Sequence, residues 1–221
     1  IKIANLFLEI NKLIRGNRKT KLMLKVPFRV YMFDGIENNF PHTHNNSILI
    51  PVNFELTDTY DTLNTLLHEK IHIIQRFRKD NFYDLYENYW NFIKTEIPNL
   101  SIVEKISRTN PDGTDNNWVY SKNGINIVLL SLYNDDFKNI SDVRTYGVYL
   151  DSSYRVITPI KKKEINSIEQ FTDFFGFLNG NNYHPNEISA DMIAGYLIES
   201  NSMLQKSDAF LQMEQWYSNL Q

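Results

Sequence analysis

From about Thr59 to Lys79 the chain sets Leu63, Leu66, Leu67, Ile71 and Ile74 at the spacing of one helical face. Such a stripe needs a packing partner, so the segment reads as a buried helix. Inside it lies His68-Glu69-Lys70-Ile71-His72, a His-Glu-x-x-His pattern. Residues four apart stack on one face of a helix, so His68 and His72 present two imidazoles to one tetrahedral metal ion. Glu69 sits one residue round from His68. Its carboxylate reaches a water at that metal without being a ligand.

Composition narrows the chemistry around this helix. The chain has 221 residues, enough for one sizeable core, and no cysteine. Disulfides, thiolate ligands and a cysteine nucleophile are therefore excluded. A formal net charge of −3, with no basic face, argues against nucleic acid as a partner. The longest apolar runs, such as Ile125–Leu132, are too short to span a membrane. Residues 1–15 mix Lys2, Glu9 and Lys12 into an apolar pattern and read as an amphipathic helix, not a signal peptide. A soluble protein is expected, intracellular or virion-associated before secreted. The 27 Asn against 4 Ala fit an AT-rich genome, such as that of a large DNA virus.

The rest of the chain alternates strand and helix signals. Residues 16–21 form a basic turn and 22–33 read as strand. Asp34 to Asn46 is a polar loop, and Ser47–Val52 a short strand. A second helix runs from Phe82 to Glu96, stopped by Pro98. Trp118–Lys122 and Ile125–Tyr133 flank Asn123-Gly124, a hairpin signal. Val143–Leu150 and Tyr154–Ile160 read as another pair around Asp151-Ser152-Ser153, followed by an exposed basic run, Lys161–Lys163. Helices return at Ile168–Leu178, Pro185–Glu199 and Ser207–Leu220, the last with an apolar set (Phe210, Leu211, Met213, Trp216, Tyr217, Leu220) that packs in cis. This order predicts one α+β domain in two lobes, about 1–98 and 99–221: a small N-terminal sheet with the site helix, then a mainly helical part with inserted β-hairpins.

A tetrahedral site needs a third protein ligand, with water in the fourth position. The remaining histidines, His42, His44 and His184, are candidates. His42 and His44 are alternate residues that share a strand face and could bind a metal or line a cleft. A better candidate is Glu187, in a helix opened by Pro185, with Asp191 one turn on along the same face. Ala190 and Ala194 there would let another helix approach closely. Asp191 reads as an acceptor that orients a ligand imidazole.

Together these residues resemble the zincin metallopeptidases in their gluzincin arrangement, with His-Glu-x-x-His on one helix and Glu-x-x-x-Asp on a later one. The resemblance covers about residues 40–80 and 180–198, including Leu66-Leu67-His68-Glu69-x-x-His72-x-x-Gln75 and the edge-strand region His42–Pro51. It implies a zincin-like fold and one zinc ion held by His68, His72 and Glu187. Glu69 would be the general base, and Asp191 would hold His68. It implies an endopeptidase whose partner is a protein or peptide, paired along Ser47–Pro51. Tyr183 or His184, with Tyr146 and Tyr149 behind them, would supply the oxyanion donor. The alternative is a catalytically inactive protein of zincin fold with a structural or virion-assembly role, against which the presence of Glu69 counts.

Overall fold

The structure, a computed structural model, describes residues 2–13, 25–35, 39–55, 60–108, 112, 115–133, 142–178, 180, 182–198 and 207–220. The expected basic turn at 16–21 and the start of the first expected strand, 22–24, lie outside them, as do Thr59 and Glu199. Helix α1 (Lys2–Leu13) is followed by strands β1 (Arg29–Phe33), β2 (His42–His44) and β3 (Ser47–Pro51), then by α2 (Tyr60–Phe77). These strands form one sheet in the order β1-β3-β2, with β1 parallel and β2 antiparallel to β3. β2 forms inside the stretch expected as polar loop, because its three residues pair with Ser47–Leu49. β3 is therefore the central strand. Both its edges are taken along Ser47–Leu49, which corrects the expectation that this strand pairs with substrate.

The helix expected over Phe82–Glu96 divides. α3 (Lys79–Asp84) runs into a π-helical turn, Leu85–Tyr89, and helix ends at Trp90. The Trp90 indole is fully buried and donates to the Ala209 carbonyl at 2.9 Å. Asn91 then takes a left-handed φ of 58°, which Asn tolerates better than most residues. Phe92–Lys94 becomes β4, and a short α4 (Ser101–Glu104) follows. Burying a large aromatic and adding a strand outweighs the further helical turns that local propensity favours.

The second sheet is antiparallel throughout: β4-β5-β6-β7-β8, with β5 (Trp118–Lys122), β6 (Ile125–Leu132), β7 (Arg144–Tyr149) and β8 (Lys162–Glu164). The Asn123-Gly124 hairpin forms as expected, both residues with positive φ. The strand expected over Tyr154–Ile160 does not form; only an isolated bridge joins Leu150 to Val156. Asp151 Oδ1 accepts from the backbone N–H of Ser153 and of Arg155, closing a local turn where the return strand would start. The exposed Lys162 and Lys163 instead fall within β8.

A 3₁₀ turn, Ile165–Ser167, leads into α5 (Glu169–Phe175); α6 (Pro185–Leu197) and α7 (Asp208–Asn219) complete the order. Alternation along β5 and β6 splits the packing. Trp118, Tyr120, Ile127 and Leu129 join the main core with α1, α2, α6 and α7, while Val119, Val128, Leu130 and Leu132 face a smaller core with Ile97, Leu100 and Val103. A Cβ on Gly147 would come within 2.5 Å of Ile168 Cδ1, so glycine lets the start of α5 settle on the sheet. The main core draws on both sides of residue 98: β4 pairs with β5, and α6 packs on α2. Phe210, Met213, Trp216 and Tyr217 pack into it in cis, while Leu211 is exposed. The chain is α+β, and among the described residues no helix is long and apolar enough to cross a membrane.

Candidate metal centre

Every residue of α2 from Leu66 to Gln75 is buried, including His68, Glu69, Lys70, His72 and Gln75. This helix is the centre of the core rather than a one-sided amphipath. Burying so many polar groups is unfavourable unless each is bonded or used. Lys70 points away from the two histidines, with Nζ 5.3 Å from the Phe28 ring centroid, and burial lowers its pKa to about 8.

The other face of α2 meets α6. His68 Nε2 and His72 Nε2 each lie 3.3 Å from Glu187 Oε2, and 2.9 Å from each other. The remaining ring nitrogens are committed elsewhere. His68 Nδ1 donates to Asp191 Oδ1 at 2.8 Å, and His72 Nδ1 donates to Gln75 Oε1 at 2.8 Å. The carboxamide of Gln75 accepts from His72, so its NH₂ is free to donate to the Asn186 carbonyl (2.7 Å) and Ser189 Oγ (2.9 Å). These bonds assign the tautomer of each neutral ring: with Nδ1 donating, the lone pair is on Nε2. Two imidazole lone pairs and a carboxylate oxygen thus converge on one buried point, where they repel unless a cation or protons lie among them.

That donor set fits zinc. Ligands at 2.0–2.1 Å in a tetrahedron stand about 3.3 Å apart, the spacing of both nitrogen–carboxylate pairs. The charges respond to one another in the same sense. Burial lowers the pKa of His72, but Glu187 and Asp112 outweigh it and raise it to about 9; His68 is raised likewise by Asp191 and Glu187. Burial pushes Glu187 up, yet the two imidazoles hold its carboxyl well below the usual range. A second group of ligand-capable atoms, on Glu69, His72 and Asp112, lies within 4.8 Å of one another. It is the weaker site, because Asp112 Oδ1 already accepts from the Thr43 N–H (2.7 Å) and hydroxyl.

Glu69 Oε2 is buried and has no hydrogen-bond partner among the described residues. Burial first, then the Asp112 charge, push its pKa up to about 7. It lines a cavity of about 300 Å³ together with His68, Glu187, Asp191, Tyr183 and Arg108. An unpartnered carboxylate beside open volume, with a pKa near neutrality, has the properties of a general base. Tyr183 forms part of the wall; burial and the nearby carboxylates raise its pKa, so the phenol keeps its proton and can donate.

The structure therefore brings together His68, His72, Glu187, Glu69, Asp191 and Tyr183. It does not bring His184 with them, which corrects its expected role as oxyanion donor. His184 caps α6: Nδ1 accepts from the Asn186 N–H at 3.0 Å, and Nε2 donates to the Asp115 carbonyl at 2.7 Å. Both nitrogens are engaged, and burial lowers the ring's pKa to about 4. His42 and His44 also stand apart. His42 donates to the Phe40 carbonyl and packs edge-on against Phe33; His44 is exposed. Tyr146 and Tyr149 belong to β7, and Tyr146 lies under Lys162.

Three residues to which the sequence analysis assigns no role also build the site. Gln75 fixes His72 and ties α2 to α6. Asp112 acts electrostatically on Glu69 and His72 from a turn. Arg76 Nη2 donates to Thr43 Oγ1 and to the Asp112 carbonyl, both at 2.7 Å, holding that turn against β2. Gln75 carries a sequence signal, since it lies three residues past His72 on the same face; Asp112 and Arg76 are placed by tertiary packing alone. Comparison with protein-family models, curated proteins and solved structures returns no match, so the site is read from its own geometry.

Proposed function

We propose that this chain is a zinc-dependent endopeptidase of the zincin type, with zinc held by His68, His72 and Glu187. The observation that carries the reading is the unpartnered, buried Glu69 carboxylate beside three convergent ligand atoms. A purely structural zinc site is usually closed by a fourth protein ligand and has no use for a base. When bound, the metal supplies a Lewis acid for a carbonyl oxygen and lowers the pKa of a water toward neutrality.

The chain's own residues do the rest. Asp191 and Gln75 lock the two imidazoles with Nε2 facing inward, which fixes the ligand geometry before any metal arrives. Glu69 takes a proton from the attacking water at Oε2 and delivers it to the leaving amine. Without metal, burial and the Asp112 charge raise its pKa to about 7, so this carboxylate holds a proton more readily than an exposed one. Tyr183 donates to the developing oxyanion. The buried walls exclude bulk water and strengthen each of these interactions.

The test combines metal content with turnover. Wild type should hold one zinc per chain, and His72→Ala and Glu187→Ala should lose it. Glu69→Gln should keep the metal while hydrolysis of a peptide library drops by about 10²–10⁴-fold. Undiminished cleavage in that variant would remove Glu69 as the base. A wild type supplied with zinc that binds none would remove the metal centre.

A further inference from the structure

We propose that Arg108 is a specificity residue that selects substrates presenting a carboxylate next to the scissile bond, either an Asp or Glu side chain or the C-terminus of the chain being cut. This rests on the hydrolytic reading above and names its substrate class. Arg108 lines the cavity that holds His68, Glu69 and Glu187, and also a neighbouring cavity of about 400 Å³. The two cavities share Phe40, Arg108 and Tyr183. The Arg108 side chain thus stands at their junction, where a peptide leaving the reacting centre sets its next group.

The backbone at this point is fixed. Arg108 N–H donates to the Ser131 carbonyl at 2.8 Å, Tyr133 N–H donates to Ile106 at 2.9 Å, and Ser107 bridges Leu132 at the end of β6. Arg108 is half-buried, and its guanidinium makes no hydrogen bond or ion pair with any of the described residues. A planar fork of five donors, partly withdrawn from water and held on a rigid backbone, matches a carboxylate bidentately.

Charge sharpens the choice. The site cavity is walled by Glu69, Asp112, Glu187 and Asp191, and Arg108 is the one Lys or Arg among its described lining residues. Apart from the proposed metal, Arg108 is the cationic partner that the described lining offers an anionic group. In the neighbouring cavity Arg144, which donates to the Val143 carbonyl, offsets Glu164, and Arg108 leaves the balance positive. A neutral group at the junction would strip water from the guanidinium and return nothing, so discrimination comes from penalty as well as attraction.

The experiment uses peptides of one sequence that differ by Glu, Gln or Lys at each position in turn, and by a free or amidated C-terminus. They are given to zinc-loaded wild type, Arg108→Gln and Arg108→Glu, with zinc content confirming that each variant is folded. Wild type should prefer the carboxylate at one position by about tenfold in kcat/KM, the scale of one charge-assisted pair. The ratio should fall to about one in Arg108→Gln and turn toward Lys in Arg108→Glu. A preference confined to Glu over Gln assigns a side chain, and one confined to free acid over amide assigns the terminus. Equal loss on both peptides in Arg108→Gln, or an unchanged ratio, would overturn the proposal.

Binding separates this from the reading beneath it. The same peptides, fluorescently labelled, are titrated onto zinc-loaded Glu69→Gln with and without Arg108→Gln. An Arg108-dependent preference in binding, with no cleavage by wild type, supports the carboxylate subsite while the hydrolytic reading falls. Equal binding of Glu and Gln, and of acid and amide, overturns the subsite whatever is cleaved.

Discussion

Gln75 stands three residues past His72, and its carboxamide serves both helices at once. The oxygen accepts a hydrogen bond from His72 Nδ1–H, and the nitrogen donates to the Asn186 carbonyl and Ser189 Oγ at the start of α6. Because Ser189 also bonds the Tyr86 hydroxyl, this small network is fully engaged. Removing Gln75 frees the imidazole to rotate and unties the helix that carries Glu187. Gln75→Ala should weaken zinc binding by about 10–100-fold, the range typical for such orienting partners, read by competition with a chromogenic chelator. His184 is a different case, although it adjoins the same helix. Its bonds cap α6 and tie it to the Asp115 carbonyl, so His184→Ala should lower stability in urea by about 1 kcal/mol or more. At saturating zinc that variant should turn over peptide like wild type; a collapse of kcat with unchanged stability would restore His184 to the chemistry.

At the scale of elements, the site depends on how closely α6 approaches α2. Glu187, Ala190, Asp191 and Ala194 fall at i, i+3, i+4 and i+7, so the two alanines lie on the face that meets the histidines. Both are fully buried. Ala190→Leu would force the helices apart, costing about 1–3 kcal/mol by overpacking. It should also pull Glu187 off the ligand point. The expected outcome is a lower unfolding midpoint together with loss of zinc; full zinc content in a destabilised Ala190→Leu would show that the ligand face tolerates the shift. This contact was legible in the sequence because its signals are local: His-Glu-x-x-His, Pro185 at a helix start, and paired small residues. The Asn123-Gly124 hairpin was legible for the same reason. β2, β4 and β8 were not. Each has three residues, too few for a periodic pattern, and each exists because a neighbouring strand accepts its backbone bonds. The break at Trp90 likewise depends on Ala209, far along the chain. Arg108 and Asp112 lie in a stretch to which the sequence analysis assigns no element, and only the fold gives them a site to face.

For the whole molecule, the proposed centre would couple metal, protons and folding, because its ligand residues come from distant parts of the chain. Without metal, His72 has a pKa of about 9 against an ordinary 6.5. The folded chain therefore keeps a proton that the unfolded chain releases. That stabilisation is whole below pH 6.5 and is lost as pH rises through about 9. His68 shifts in the same direction. Glu69, raised from 4.5 to about 7 by burial, also weakens the fold as pH rises, between those two values. Two groups oppose the trend outside the window. His184, lowered to about 4, acts below pH 6.5, and Lys70, lowered to about 8, acts above that value. Between pH 6.5 and 8 the histidine pair decides the sign. Chelator-treated protein should melt at a lower temperature at pH 8 than at pH 6.5. Zinc bound as proposed would compete with those same protons, so its binding should tighten as pH rises, and excess zinc should raise Tm more at pH 8 than at pH 6.5. Paired calorimetric scans at the two pH values, with and without zinc, read both effects. His72→Ala should flatten the pH trend and remove the zinc response together. A metal-free protein that grew more stable from pH 6.5 to 8 would mean that Glu187 does not hold protons on the imidazoles, and the convergence of the three ligand atoms would lose its energetic basis.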